Sequence, residues 1–183
     1  MPDLPITQGW AEYCEQQPSS HFNLRPEGCE ITLLVIHNIS LPPGQFGSDD
    51  ITDFFIGKLQ TSRHPFFKQI ENLRVSAHCL VRRDGLIIQY VSFDDRAWHA
   101  GVSSFEGREN CNDFSIGIEV EGTDDTPYTD EQYAALTKLT MTLQQQYSKI
   151  TADRIVGHCH IAPERKTDPG RSFDWPRYLT SLA

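Results

Sequence analysis

The sequence predicts an α/β or α+β domain in which α-helices pack against a mixed central β-sheet. Three segments carry this prediction. Residues 31–37 form a short apolar run that is partly β-branched, residues 114–121 alternate apolar and polar side chains, and residues 130–147 repeat apolar side chains at helical spacing. The chain has 183 residues, a length that usually forms one domain, so we expect a single domain over residues 1–183.

The N-terminal half is predicted to hold one buried strand, two short helices and a hairpin. The first thirty or so residues are mostly irregular, with a short helix expected at about Trp10–Gln16. The run 31–37 is predicted to be a central buried strand, which the Pro-Gly loop after it ends. A second short helix is expected over 50–58. Residues 77–92 are predicted to form a hairpin, because two apolar runs flank Asp84-Gly85, a dipeptide suited to tight hairpin turns.

The C-terminal half is predicted to contain a second sheet strand and the longest helix. In residues 114–121 the side chains of Ile116, Ile118 and Val120 face one side of the strand, and those of Glu119 and Glu121 face the other. The remaining elements are a helix over 130–147 with Thr129 and Gln132 at capping-box spacing, a short strand at Arg154–Val156, a Pro/Gly-rich loop over 161–171 and a short helix over 174–182.

Charge and composition argue against several classes of protein. Lys and Arg total 16 against 25 Asp and Glu, a net charge of −9, so the chain as a whole does not suit a nucleic-acid binder, although a local basic pocket stays open. Its apolar runs are far shorter than the roughly 20 residues of a spanning helix, and Met-Pro-Asp-Leu-Pro does not begin a signal peptide. Five scattered cysteines favour reduced thiols. We expect a cytoplasmic protein that binds neither membrane nor nucleic acid.

Two histidines and one aspartate suggest a metal site. His37 ends a buried strand where a Pro-Gly loop begins, a position at which sheet proteins often place their sites. His158 and Asp168 lie in a segment that prolines and a glycine constrain. If the three meet, two imidazoles and one carboxylate would hold Zn²⁺ with one position open. His160 is a rival ligand, since it shares a face with His158 if the strand before them continues.

Glu119 and Lys166 each allow two interpretations from the residues alone. Glu119 is either on the wet face of an edge strand, which would also explain Glu121, or a general base toward a water at the metal site. Lys166 is either a solvated loop lysine or a cation that stabilises a developing oxyanion. The sequence contains no motif for phosphate binding by a glycine-rich loop or for a serine nucleophile.

Four motifs occur along the chain, His37–Gly44, Arg74–Leu80, Ala97–Gly101 and Gly157–Gly170. Together they resemble the type-2 N-acetylmuramoyl-L-alanine amidase family. The resemblance runs from about Trp10 to Trp175, which places the core of the expected domain at about residues 10–175. It implies a mixed central sheet flanked by helices.

The same resemblance implies roles for individual residues. It implies Zn²⁺ held by His37, His158 and Asp168, with Glu119 as proton acceptor and Lys166 as transition-state stabiliser. Asn38, Arg74 and Trp98 are expected to line the substrate groove, and His160 is dropped as a ligand because relatives often hold asparagine there. Relatives carry arginine where this chain has Asn110, so the hold on a stem-peptide carboxylate is expected to weaken or to pass to Arg108.

The activity that the resemblance implies is hydrolysis of the amide between the lactyl group of N-acetylmuramic acid, ordinary or 1,6-anhydro, and L-Ala of the stem peptide. A monomer would act on anhydro-muropeptides in cytoplasmic peptidoglycan recycling, with a link to β-lactamase regulation. Two other classes stay open, a muropeptide-binding module like some peptidoglycan recognition proteins and a regulatory protein controlled by muropeptides. The complete ligand set together with Glu119 favours the enzyme.

Overall fold

The structure is a computed structural model that describes residues 5–183. In chain order its strands are β1 (Ile6–Thr7), β2 (Trp10–Ala11), β3 (Glu15–Gln16), β4 (Phe22–Asn23), β5 (Leu33–Ile39), β6 (Cys79–Val81), β7 (Ile87–Gln89), β8 (Arg96–Ala97), β9 (Ser104–Phe105), β10 (Arg108–Glu109), β11 (Ser115–Glu121) and β12 (Ile155–Gly157). The helices are α1 (Asp50–Phe55), α2 (Phe67–Ile70), α3 (Asp130–Gln146), α4 (His158–Ile161) and α5 (Trp175–Thr180), and 3₁₀ turns occupy Cys111–Asp113 and Ala152–Arg154.

A six-stranded mixed sheet in the order β12-β5-β11-β6-β7-β3 forms the centre of the molecule. Strands β12, β5, β11 and β6 run parallel, β7 is antiparallel to β6, and β3 pairs in parallel with β7. Helices pack against this sheet, so the predicted fold class is confirmed. Because four adjacent strands are parallel, their carboxyl ends lie along one edge of the sheet, where loops can bring side chains together.

The two longest strands, β5 and β11, are adjacent and give the sheet its two functionally different faces. In their register Glu119 lies beside His37. Side chains alternate between the faces, so Leu34, Ile36, Ile116, Ile118 and Val120 share the large core that also contains residues of α3. His37 and Glu119 lie on the opposite face.

The long helix α3 is confirmed together with its predicted cap. Thr129 Oγ1 accepts a hydrogen bond from the backbone N–H of Gln132 at 3.1 Å, and Gln132 Oε1 accepts one from the backbone N–H of Thr129 at 3.1 Å. Its apolar stripe is buried in the large core through Tyr133, Leu136 and Leu143, among others. The cap and the stripe are both local features, which is why the sequence predicts this helix closely.

The other predicted elements are confirmed with small changes of boundary. The helix expected over 50–58 is α1, which ends at Phe55. Strands β6 and β7 form the predicted hairpin, and Gly85 at its turn has a positive φ of 84°. The strand expected at Arg154–Val156 is β12, shifted by one residue.

The prediction of a short helix at about Trp10–Gln16 is wrong. This segment contains β2 and β3 instead, and β3 joins the edge of the central sheet, with Glu15 opposite Ile88. The backbone N–H of Ala11 donates to the buried Gln89 Oε1 at 2.8 Å. Hydrogen bonds to a distant strand therefore override the local helical pattern.

Three sequence predictions concern the environment of the chain. The segment compared with a signal peptide lies almost entirely outside residues 5–183, the part that the structure describes. Within that part, the helices are all too short or too polar to cross a membrane. The five cysteines are free thiols, three of them buried, as expected.

Candidate functional site

His37, His158 and Asp168 converge at the carboxyl edge of the parallel strands. His37 Nδ1 lies 2.9 Å from His158 Nδ1 and 3.1 Å from Asp168 Oδ2, and His158 Nδ1 lies 3.0 Å from the same carboxylate oxygen. His37 is near the end of β5, and His158 directly follows β12, its neighbour in the sheet. The carbonyl of Asp168 accepts the backbone N–H of Cys159 at 3.0 Å, which ties the loop back to this edge. The predicted three residues therefore meet.

The far nitrogen of each imidazole has a hydrogen-bond partner; the partner of His158 sets its tautomer, and the partner of His37 allows a proton on Nε2. His158 Nε2 lies 3.0 Å from the carbonyl oxygen of Ala100, which can only accept, so this nitrogen carries the proton. His37 Nε2 lies 2.9 Å from His99 Nδ1. With the proton of His37 on Nε2, both Nδ1 atoms present lone pairs toward the Asp168 carboxylate.

Such an arrangement of donor atoms fits a metal ion. Two imidazole lone pairs and a carboxylate oxygen within 3.1 Å of one another repel unless a cation lies between them. The three residues are a cluster able to hold a metal. Two histidines, each with an outer hydrogen-bond partner, and one carboxylate are a donor set typical of a catalytic zinc with an open position.

The protonation states favour metal binding as well. Burial lowers the pKa of His37 to about 4, although the neighbouring Asp168 opposes this shift. Burial raises the pKa of Asp168, but the close contacts of its carboxylate with the imidazoles of His158 and His37 outweigh this effect and hold that pKa below its ordinary value. At neutral pH His37 is therefore neutral and Asp168 ionised, the forms that bind a metal.

Glu119 lies beside this cluster in a setting that raises its proton affinity. The residue is only 9% exposed, and its Oε2 has no hydrogen-bond partner within residues 5–183. Burial raises its pKa well above the ordinary value, the negative Asp168 raises it further, and the positive Lys166 lowers it. The alternative of a wet edge strand is excluded, because β11 lies between β5 and β6 and is buried along its length.

A cavity of about 730 Å³ opens over these side chains. Lys166 belongs to its wall, half-buried, on the loop that also carries Asp168. Asn38 and Trp98 also belong to the cavity wall. Asn38 Nδ2 donates to Asp124 Oδ1 at 2.9 Å.

Trp98 is a fixed part of this wall. Its indole N–H donates to Asn23 Oδ1 at 2.6 Å, and its ring is stacked on His21 with 6.2 Å between the ring centroids. Both partners belong to the segment around β4, which the sequence predicts to be mostly irregular. The aromatic wall is therefore held from outside the cavity.

The structure does not bring Arg74 and Arg108 to the cavity. Arg74 donates from Nη1 to the carbonyl oxygens of Glu71 and Leu73 in its own turn. The Arg108 guanidinium lies over the Phe114 ring, 4.0 Å from its centroid, and donates to a cysteine sulfur. The substrate contacts predicted for these two arginines stay predictions.

Asn110 and His160 also lie away from the cluster. Asn110 adopts a left-handed backbone with φ of 58° and lines a separate cavity of about 480 Å³. His160 Nδ1 accepts the backbone N–H of Gly157 at 2.9 Å, because β12 ends there and α4 begins. The strand does not continue to His160, which agrees with its removal from the ligand set.

His99 and Ala100, whose ring and carbonyl contact the two histidine ligands, are not among the site residues that the sequence predicts. They lie in the motif Ala97–Gly101, of which only Trp98 is a predicted site residue. One signal was present in Gly117, a glycine inside a buried strand, which often marks a close approach. A Cβ atom on Gly117 would lie 2.4 Å from the His99 ring, so the glycine makes room for this imidazole.

Comparison with known proteins gives concordant matches. The profile of the N-acetylmuramoyl-L-alanine amidase family matches residues 14–171. The chain is 58% identical over 177 residues to the 1,6-anhydro-N-acetylmuramyl-L-alanine amidase AmpD of Haemophilus influenzae, which covers 97% of this chain and 96% of that protein.

Solved structures agree with these sequence matches. A crystal structure of a Se-Met AmpD derivative matches with a TM-score of 0.95 and 55% identity, over 98% of this chain and 99% of that chain. AmpDh3 from Pseudomonas aeruginosa, solved in complex with anhydromuramic pentapeptide, matches with a TM-score of 0.62 and 30% identity, over 85% of this chain and 61% of that chain.

Proposed function

Because the chain belongs to the N-acetylmuramoyl-L-alanine amidase family, we propose that it hydrolyses the amide between the lactyl group of 1,6-anhydro-N-acetylmuramic acid and L-Ala of the stem peptide. The resemblance drawn from the four motifs is confirmed, and the protein is an amidase. The observation that carries the proposal is the convergence of His37, His158 and Asp168 next to Glu119 in one cavity. The name of the Haemophilus influenzae relative and the pentapeptide bound to AmpDh3 support anhydro-muropeptides as substrates.

We propose Zn²⁺ as the cofactor, with His37, His158 and Asp168 as its ligands. When bound, zinc would polarise the scissile carbonyl and lower the pKa of the attacking water. The protein's contribution is to hold two neutral imidazoles and one carboxylate in place and to leave the cavity side of the cluster open to substrate.

Glu119 is proposed to move the proton. Its carboxylate takes a proton from the attacking water and then delivers that proton to the leaving amine of L-Ala, so the group returns to its starting state. A raised pKa suits both steps, since a carboxylate of ordinary acidity accepts protons poorly near neutral pH. The unpartnered Oε2 atom is free to receive the proton.

Lys166 is proposed to stabilise the negative charge that develops on the carbonyl oxygen. The positive charge of its ammonium lowers the pKa of both Glu119 and His37, so this charge reaches the part of the cavity where these two groups lie. A fixed positive charge near the carbonyl is worth more in a partly dry cavity than in bulk water. Asn38 and Trp98 are proposed to bind the muropeptide along the wall.

We further propose that the enzyme is a cytoplasmic monomer, a single amidase domain over residues 1–183, that acts in peptidoglycan recycling and thereby affects β-lactamase regulation. The free thiols fit a reducing compartment. The family match over 14–171 fits one domain. Sedimentation of the metal-loaded protein tests the monomer, and cell fractionation tests the compartment.

One experiment tests the activity directly. Purified protein is analysed for bound metal and incubated with an anhydro-muropeptide, while release of the free stem peptide is followed by mass spectrometry. We expect one zinc per chain, loss of turnover with a chelator and its return with added Zn²⁺. Tight binding of the muropeptide by the zinc-loaded protein without release of peptide would instead identify a binding module. The same assay with ordinary muramic acid tests the preference for the anhydro form.

A further inference from the structure

The dipeptide His99-Ala100 supplies the outer hydrogen-bond partners of both histidines in the metal cluster. His99 Nδ1 faces His37 Nε2 at 2.9 Å, and the Ala100 carbonyl oxygen faces His158 Nε2 at 3.0 Å. Two consecutive residues thus contact the far nitrogens of two ligands that come from different parts of the chain. When each far nitrogen donates its proton to this dipeptide, both Nδ1 atoms keep their lone pairs free.

Asn112 holds the backbone of that dipeptide. Its Oδ1 accepts the backbone N–H of His99 at 3.0 Å and the backbone N–H of Ala100 at 2.8 Å. The side chain is buried, with 7% exposure, in the 3₁₀ turn Cys111–Asp113, which ends one residue before β11. One amide oxygen therefore ties the dipeptide to the central sheet on which His37 and Glu119 lie.

The other contacts of the dipeptide do not replace this one. The other ring nitrogen of His99, Nε2, lies 3.1 Å from Ser115 Oγ. The Ala100 carbonyl also accepts a hydrogen bond from Arg165 Nη2 at 2.7 Å. Each of these contacts reaches one residue of the pair, and Arg165 lies on an exposed loop. Within residues 5–183, the Asn112 oxygen is the only side-chain atom that accepts a hydrogen bond from both backbone N–H groups of the pair.

We propose that Asn112 is a positioning residue that sets both histidine ligands in their metal-binding tautomers through the backbone of His99 and Ala100. The proposal rests on the metal site of the proposed function. It assigns Asn112 no contact with substrate. Loss of the oxygen frees the dipeptide to shift, so both outer hydrogen bonds lengthen and each imidazole can place its proton on Nδ1, where it competes with the metal.

The test compares Asn112→Ala with Asn112→Asp, which keeps an oxygen at the same place. Zinc affinity is measured on folded, metal-free protein by competition with a chromophoric chelator. Loss of outer partners of metal ligands typically weakens metal binding by about 10–100-fold, and we expect at least about tenfold for Asn112→Ala. Asn112→Asp should stay within about threefold of the wild type. If the alanine variant does not fold, Asn112→Ser replaces it in the test, because the shorter serine side chain places its hydroxyl away from the position of the amide oxygen.

Thr140→Val is the matched control for a lost buried hydrogen bond. Thr140 Oγ1 pairs with Tyr178 Oη at 2.6 Å between α3 and α5, in the core on the other face of the sheet. This variant should lose thermal stability but keep the zinc affinity of the wild type. A fall in affinity equal to that of Asn112→Ala would reduce the role of Asn112 to general stability and overturn the proposal.

A second measurement separates this proposal from the metal site itself. Nitrogen-15 NMR of the metal-free protein reports which imidazole nitrogen carries the proton. We expect protons on Nε2 of His37 and His158 in the wild type and mixed tautomers in Asn112→Ala. A wild type that does not bind zinc refutes the metal site, while the NMR result still decides the role of Asn112. Unchanged tautomers and unchanged zinc affinity in Asn112→Ala would refute the proposed role of Asn112.

Discussion

Glu119 and Glu121, two carboxylates on the same face of β11, should respond in opposite ways to loss of their charge. Glu121 is 1% exposed and accepts two backbone hydrogen bonds, from the N–H of Gly47 at 2.6 Å and from the N–H of Arg83 at 3.0 Å. It thereby joins the loop after β5 to the turn of the hairpin. Glu119 Oε2 has no such partner within residues 5–183. Glu121→Gln should therefore cost stability, and Glu119→Gln should cost activity.

The size of each effect follows from these contacts. In Glu121→Gln one oxygen remains, while the new amide N–H group faces a backbone N–H and leaves it unpaired, at a cost of about 1–3 kcal/mol. For a chain of this size each kcal/mol lowers the melting temperature by about 2–4 °C, so a cost near the middle of that range gives about 4–8 °C. In Glu119→Gln the stability at neutral pH should stay equal or rise, because a carboxyl whose pKa is raised by burial opposes folding when it is ionised.

Thermal unfolding and turnover on an anhydro-muropeptide, measured at equal metal content, test the pair. Glu119→Gln should lose about 10²–10⁴-fold in kcat, the usual contribution of general acid–base catalysis, with metal retained. Glu121→Gln should keep kcat within about threefold. A melting temperature lowered more in Glu119→Gln than in Glu121→Gln, or equal losses of kcat in both, would refute the division between a catalytic and a structural carboxylate.

Three further predictions concern the metal, acid stability and the stem peptide. His37→Ala should lose zinc and activity together, whereas His160→Ala should keep the metal; full zinc occupancy in His37→Ala, measured by elemental analysis, would contradict the ligand set. Burial lowers the pKa of His78 to about 3. The unfolded chain therefore binds a proton at this histidine near pH 6.5, whereas the folded chain does not, so the free energy of unfolding falls as the pH falls. Between pH 7 and 5 this loss is about 2 kcal/mol. Urea unfolding of His78→Asn should show an acid-induced loss that is smaller by that amount, and an identical loss would contradict the assignment. Asn110→Arg should lower the KM for a tripeptide substrate by about fivefold or less, and added salt should weaken this effect. Arg108→Ala should leave KM unchanged, because the guanidinium of Arg108 is held over the Phe114 ring. A large rise of KM in Arg108→Ala would show that this arginine binds the peptide.

Where the determinants are local, the sequence predicted the structure closely. The apolar run at β5, the alternation of β11 and the capped stripe of α3 each depend on neighbours within a few residues, and all three are present. The segment at Trp10–Gln16 shows the limit of this reasoning. Its strands exist because Gln89 and Ile88, far along the chain, supply hydrogen-bond partners, and no local pattern records that pairing.

Residue types and chain positions suggested His37, His158 and Asp168 as a metal site, and the resemblance of motifs implied the same set. The tertiary structure brings their ligand atoms within 3.1 Å of one another. The alternation of β11 by itself could not distinguish Glu119 from Glu121, and only the resemblance singled out Glu119, because their difference lies in which buried groups surround each carboxylate.

The roles of Asn112, His99 and Ala100 also came only from the tertiary structure. Their contacts run largely through backbone N–H and C=O groups, which every residue but proline carries alike. The residue types of a sequence therefore record the ligands of this site and its main strands, while the packing of the chain decides which backbone groups hold those ligands in place.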